Sequence, residues 1–329
     1  MTQQLATNMP DTDTNLPKPA RYFPIRNGRY DVKAGLSVFP TAFGNALQDE
    51  QLFQFDTDFH RCRDNKIAVR KQDLNEYVCM TDDSNISIHH VNRFILEQLI
   101  NQHSQYFRHT KDEDHLKLEC SLSGNEILTH HDQTLISSAY PYNPPAMNLF
   151  DALALELQED LCVMQVTSET TRLCAAHLCA ANHWAAIDKL GMDMPGLHEP
   201  IPGFYEQNRS PDSLLQGIMK KQHAYIRFAW GISDDYRFNR HPRLQENNDS
   251  KVHGDGVFMR IERQLLWPMP DMQTMLFTIK TLFRDCREMK HQQAHEFDQL
   301  VNAIKSMDNA ALAYKGIERE QTLHRLSAL

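Results

Sequence analysis

The chain has 329 residues, 41% of them hydrophobic and 23% charged, and a formal net charge of −9. That is apolar material for one large or two modest cores. No run approaches the ~18 to 20 apolar residues of a membrane span, and an acidic chain with dispersed basic residues argues against a nucleic-acid partner. The opening residues, MTQQLATNMPDTDTNLPKP, lack a cationic start and an apolar segment, so 1–20 reads as a polar tail rather than a secretory signal.

The seven cysteines are odd in number and none is spaced C-x-x-C, which speaks against a zinc ribbon or an iron–sulfur site. Cys162, Cys174 and Cys179 lie in apolar runs and read as core thiols. A reducing cytoplasm fits this usage.

Residues 21–60 are short and punctuated, an irregular arm with one or two short strands. Asp82–Gln102 is helical, with Val91, Phe94, Ile95 and Leu99 on one face. Residues 108–120 are densely charged and read as a solvated loop leading into a short strand, and Ser121–Gly124 as a turn. The Pro-rich run Tyr140–Pro145 marks a boundary, after which Met147–Leu157 forms a helix. Two strands follow, Leu161–Thr167 and Arg172–Cys179. His183–Pro202 carries the punctuation of two short helical turns: Asn182 caps the first, Gly191 ends it, and Pro195-Gly196 forces the second.

Ser210-Pro211-Asp212 starts another helix, running to about Lys221. Ala224–Ile232 is a third strand, and Asp234–Asp255 a long polar loop. Val257–Leu266 alternates: Val257, Met259, Ile261, Arg263 and Leu265 share one face, and Phe258, Arg260, Glu262 and Gln264 the other. Met275–Leu282 is the fifth strand. Asp285–Met307 reads as one long helix, followed by a last short one.

An antiparallel sheet interrupted by short helices after its second strand is the order of a PAS-type ligand-binding domain. The fold class is therefore α+β: a PAS-like five-stranded antiparallel sheet with short helices forming a pocket, a helical region before it and helices after it. The chain divides as a tail (1–20), an arm and helical region (21–145), the core (146–284) and C-terminal helices (285–329).

In that fold His198 sits on a short apolar segment, where its imidazole is a candidate axial ligand for haem iron; a histidine that caps a Pro-rich turn is the plain alternative. Arg227 is a candidate for pairing with a propionate, against simply covering an exposed sheet face, and Arg263 for binding a propionate or positioning substrate, against a structural ion-pair network. Trp184 and Trp230 are candidate pocket aromatics. Glu159, Asp160 and Glu262 are candidate acid/base groups or acceptors for a cationic amine, against capping and cross-strand pairing. No dinucleotide fingerprint, phosphate loop, nucleophile elbow or H-E-x-x-H occurs.

A set of motifs in fixed order joins these residues: Phe23-Pro24 through Arg29-Tyr30-Asp31 to Gly35-Leu36; Phe55–Lys71; Gln158-Glu159-Asp160-Leu161; His183-Trp184, Lys189-Leu190-Gly191 and His198-Glu199-Pro200-Ile201-Pro202; Arg227-Phe228-Ala229-Trp230; Arg260-Ile261-Glu262-Arg263-Gln264; Phe277–Thr281; and Tyr314-Lys315-Gly316. From about residue 21 to 318 the chain resembles the haem-dependent oxidative N-demethylase family. It departs from the family pattern at Ala229, where an asparagine is usual, and at Leu282, where an aromatic is.

The resemblance implies a PAS-fold subunit binding haem b through His198, with Arg227 and Arg263 near the cofactor. It implies use of O2 and of electrons from a separate flavin/iron–sulfur reductase, with demethylation of a small secondary amine. Formaldehyde would be released or passed to tetrahydrofolate. A non-catalytic haem-binding sensor or carrier is the alternative of a different class. The family implies no membrane partner and is compatible with an oligomer.

Overall fold

A computed structural model describes residues 16–32, 35–199, 201–203, 211–243 and 256–329. The first fifteen residues of the tail, Pro200, Ser210 and residues 244–255 of the polar loop lie outside it.

In chain order, β1 (Ser37–Val38) belongs to the N-terminal arm, and α1 (Phe59–Gln72) and α2 (Leu74–Tyr77) lead into β2 (Val78–Met80). Next come α3 (Asn85–Gln102), β3 (Phe107–Lys111), β4 (His115–Cys120), β5 (Asn125–His130), β6 (Leu135–Ser138) and α4 (Leu149–Ala154). β7 (Asp160–Val166) and β8 (Thr171–His177) precede α5 (Ala186–Lys189), α6 (Met194–His198) and α7 (Pro211–Lys221). β9 (Tyr225–Ser233), β10 (Phe258–Met269) and β11 (Thr274–Asp285) complete the strands, and α8 (Cys286–Gln292), α9 (Ala294–Ser306), α10 (Asn309–Lys315) and α11 (Arg319–Ser327) follow.

The five expected strands are contiguous in one antiparallel sheet, but that sheet has seven strands, in the order β1-β9-β10-β11-β7-β8-β2. The arm and the helical region each add an edge strand, so the five-stranded expectation was too small. At the centre, β10 and β11 pair from Phe258↔Asp285 to Met269↔Thr274. A short helical turn at Pro270–Met272 and a left-handed Gln273 (φ +48°) join them.

A second sheet, β3-β4-β5-β6, stands where a charged loop was expected. Its charges pair across strands: Arg108 donates to Glu119 at 2.6 Å and Lys117 pairs with the same carboxylate. Phe107, Leu118, Cys120 and Ile127 go inward. A strand that solvates one face with ion pairs looks like a loop when only its charge density is read. The expected single helix after the sheet is also broken, at Gln293 (φ −133°, ψ 56°), into α8 and α9.

The two faces of the large sheet differ in what covers them. On one, Leu161, Val163, Leu265 and Leu276 pack against α3, α4 and the segment Leu52–Phe59, while Met259, Ile261 and Leu282 pack against the C-terminal helices. On the other lie Cys162, Met164, Leu266, Met275 and Ile279, under α5, α6 and α7. All seven cysteines are buried and unpaired. No helix among the described residues is long and apolar enough to cross a membrane.

Candidate functional site

The face under the short helices is where the candidate residues converge. Its floor is apolar, and its cover brings Trp184, Leu190, Met194, Leu197 and Leu214 down onto it. The cover is held by local chemistry. Asp193 caps α6 through the Gly196 amide at 2.8 Å, with Pro195 in the first turn. Gly191 makes the reversal between α5 and α6 at φ +81°, a conformation an L side chain rarely adopts. The first turn begins later than expected, with Ala185 rather than Asn182 at its N-terminal boundary.

His198 ends α6. Its Nδ1 lies 3.0 Å from the Met194 carbonyl oxygen. A carbonyl only accepts, so Nδ1 carries the proton and Nε2 the lone pair of the neutral ring. Burial, with the charges of Arg227 and Lys189, pushes the imidazole down to about 4, against the opposing effect of the Met194 bond. The ring is therefore neutral at pH 7, with a tautomer fixed as metal-binding histidines have theirs fixed.

Beside it stands a polar cluster. Arg227 on β9 is in register with Gln264 on β10, and Ala229 with Glu262. The Arg227 Nε and the Gln264 Oε1 are buried without a hydrogen-bond partner among the described residues. Glu262 accepts from Gln264 Nε2 at 2.9 Å and lies 3.8 Å from Arg260 Nε. Arg260 is otherwise committed to carbonyls, donating to Ala180 at 2.6 Å and Phe238 at 2.8 Å.

From the far end of the chain, Lys315 donates to the Trp230 carbonyl at 2.8 Å, and burial lowers its ammonium to about 8, with Glu262 opposing and Arg227 adding. Tyr30 and Tyr314 sit within electrostatic reach of Arg227. Neither Lys315 nor the tyrosines had been singled out for the site. Their signal was the run Tyr314-Lys315-Gly316, in which Gly316 at φ +62° ends α10 and fixes that pair at the helix terminus.

The remaining candidates are held by other partners. Arg263 points from the opposite face and donates to Leu52 O at 3.1 Å and Gln51 O at 2.6 Å. Trp230 is on that face too, packed with Met259, Ile261 and Leu282. Glu159 is fully buried and accepts from the Gln54 amide at 2.9 Å; burial raises its pKa, opposed by Lys280. Asp160, also buried, accepts from the amides of Cys179 (2.9 Å) and Ala180 (2.7 Å). Of the candidates, then, His198, Arg227, Glu262 and Trp184 share one face, and strand register puts Asp160, across from Ile279 and through it Gln264, at the edge of the same face.

A sequence profile of the family described as haem-dependent oxidative N-demethylase, alpha subunit-like, matches residues 44–324. The chain belongs to this family. No curated protein matches it in sequence.

The residues present fit the cofactor that the N-demethylase family is named for. The site offers a neutral imidazole with a defined lone pair and an apolar floor. Two cations, Arg227 and Lys315, have Glu262 as their one carboxylate within electrostatic reach, an arrangement that suits a further acidic group. Gly231 is buried on the same face, yet no described atom lies within 4 Å of where a Cβ would stand.

Proposed function

We propose that this chain is the haem b-binding subunit of a monooxygenase that removes a methyl group from a small secondary amine, releasing formaldehyde. The observation that carries the reading is the convergence of His198 and the partly unsatisfied Arg227 on one apolar sheet face, in a chain of this family. The order β8-β7-β11-β10-β9 of the five central strands, 2-1-5-4-3 by sequence, supports a PAS-like core over 146–284. In this reading His198 would ligate the iron, Arg227 and Lys315 would hold propionates, and Trp184 would pack at the pocket's edge. Arg263, Trp230, Glu159 and Asp160 hold the sheet to its neighbours.

Bound haem would supply the chemistry of O2 activation, using electrons from a separate flavin/iron–sulfur reductase, the partner that an alpha subunit implies. The chain's own residues do the rest. The apolar cover excludes water from the reacting C–H bond. Glu262, the acidic candidate beside Arg227 and Lys315, attracts the ammonium of the amine and orients its N-methyl group. The carbinolamine that results from hydroxylation of that methyl collapses to the shorter amine and formaldehyde, which is released or passed to tetrahydrofolate. A cytoplasmic location suits the buried, unpaired thiols.

The deciding experiment is the visible spectrum of the purified protein, oxidised and then reduced under CO, beside His198→Ala. A Soret band lost or shifted in the variant is the expected result. A wild-type protein that stays colourless after haem addition sinks the proposal. Haem without substrate-dependent formaldehyde release, when dimethylamine and a reductase are supplied, favours a sensor or carrier.

A further inference from the structure

A second constellation lies where β7 begins and β8 ends, beside α4. The ligand atoms of Asp160, His177 and Cys179 all fall within 4.8 Å of one another, and all three residues are buried. The Cys179 Sγ is 3.7 Å from His177 Nδ1. On its other side, His177 Nε2 lies 3.2 Å from Asp151 Oδ1. Asp151 is itself fixed by Arg70, whose Nη2 donates to Oδ2 at 2.6 Å, and by the Met147 amide at 2.9 Å.

We propose that Asp160, His177 and Cys179 form a buried structural site for a borderline divalent cation, zinc being the best fit, with Asp151 orienting the histidine from behind. The donor set is one carboxylate, one imidazole and one sulfur, the mixture zinc accepts. Ligands on a tetrahedral zinc lie about 3.5 Å apart, which the sulfur–nitrogen separation already meets. Asp151 Oδ1 stands 3.2 Å from His177 Nε2 without a completed hydrogen bond; a small turn of the ring would set up the carboxylate–histidine–metal relay, with Nε2–H toward the carboxylate and the Nδ1 lone pair toward the metal.

The charges of Lys66 and Arg70 act on the site, but among the described residues no side chain donates a hydrogen bond to Asp160. Lys66 is the near ammonium, but its Nζ donates to the carbonyls of Ala154 (2.8 Å), Leu157 (2.9 Å) and Glu159 (2.6 Å), which takes its three protons. Asp160 accepts one backbone amide on each oxygen, so each keeps a lone pair. A dication would take those lone pairs together with the sulfur of Cys179 and the Nδ1 of His177. The same residues are ordered like a Cys–His–Asp nucleophile, but all are buried, so no substrate reaches the sulfur.

The test uses the untagged, haem-loaded protein. Zinc is measured by elemental analysis after dialysis against a weak chelator, and its environment by X-ray absorption at the zinc edge. One zinc per chain is expected, with a single sulfur scatterer at about 2.3 Å. Cys179→Ser and His177→Gln should each lower retained zinc by tenfold or more, whereas Cys286→Ser should retain it. Zinc absent from the wild type, and not taken up on addition, overturns the proposal. So does bound zinc with no sulfur neighbour. The wild-type absorption spectrum decides the matter even if a variant fails to fold.

Discussion

Arg227 and Arg263 look interchangeable in the sequence, each an arginine in an otherwise apolar strand. Strand alternation does place them on opposite faces. What it cannot say is which face receives the short helices, because that depends on chain reversals such as the one at Gly191. The two residues should therefore fail differently. Arg227→Ala is expected to weaken haem binding by tenfold or more while leaving the unfolding midpoint of the apo-protein within a degree or two, which haem titration and calorimetry would check. Arg263→Ala leaves the carbonyls of Leu52 and Gln51 buried without their donor. Breaking such a buried charged contact costs about 3 to 5 kcal/mol, visible as a shifted urea midpoint. Glu262→Gln, in the proposed function, should raise the KM for a protonated amine far more than it lowers kcat. His103 is a residue-scale sensor of another kind: it is buried beside Phe55, and burial pushes its imidazole down to about 4. The unfolded chain takes up that proton near 6.5, so stability is fully present above 6.5, falls as the pH drops toward 4 and is flat below. The change is about 3 kcal/mol. His103→Phe should remove that portion of the slope in unfolding measured between pH 4 and 7.

Among the elements, β7 shows how a motif is legible while its purpose is not. Gln158-Glu159-Asp160 stands out in the sequence as a polar start to an apolar strand. In the structure it is a bracket: the Asp56 amide donates to Gln158 Oε1 at 2.7 Å, Gln158 Nε2 donates to Asp56 Oδ1 at 2.8 Å, Glu159 takes the Gln54 amide, and Lys280 reaches across to Asp56 at 2.7 Å and to the Gln54 carbonyl at 2.7 Å. The partners are about a hundred residues away, and no local pattern announces them. Lys66→Met is expected to lower stability by about 3 kcal/mol or more, since three buried carbonyls lose a charged donor, with calorimetry as the check. The five core strands and α3 were legible because their apolar period matches their structure. The second sheet was not, because its exposed face is built from ions that pair only once the strands meet.

At the scale of the whole molecule, the two ends of the described chain close around the sheet together. Ala20, Tyr22 and Ile25 of the arm share a cluster with Phe297, Leu300, Ile304 and Leu312 of the C-terminal helices. α10 then delivers Lys315 to the polar end of the pocket. Removing residues 308–329 should accordingly lower haem affinity, and the tryptophan emission should move to longer wavelength as water reaches Trp230. A chain that keeps both properties without those residues would show that the helices do not complete the site. The cysteines give the same molecule a built-in clock. Because all seven thiols are buried and unpaired, a bulky alkylating reagent finds nothing in the closed state, and each adduct it forms records an opening. Mass spectrometry of a labelling time course would thus rank the opening of α1, β2, β4, β7, β8 and α8 in a single experiment, with the chain's own sulfur as the probe.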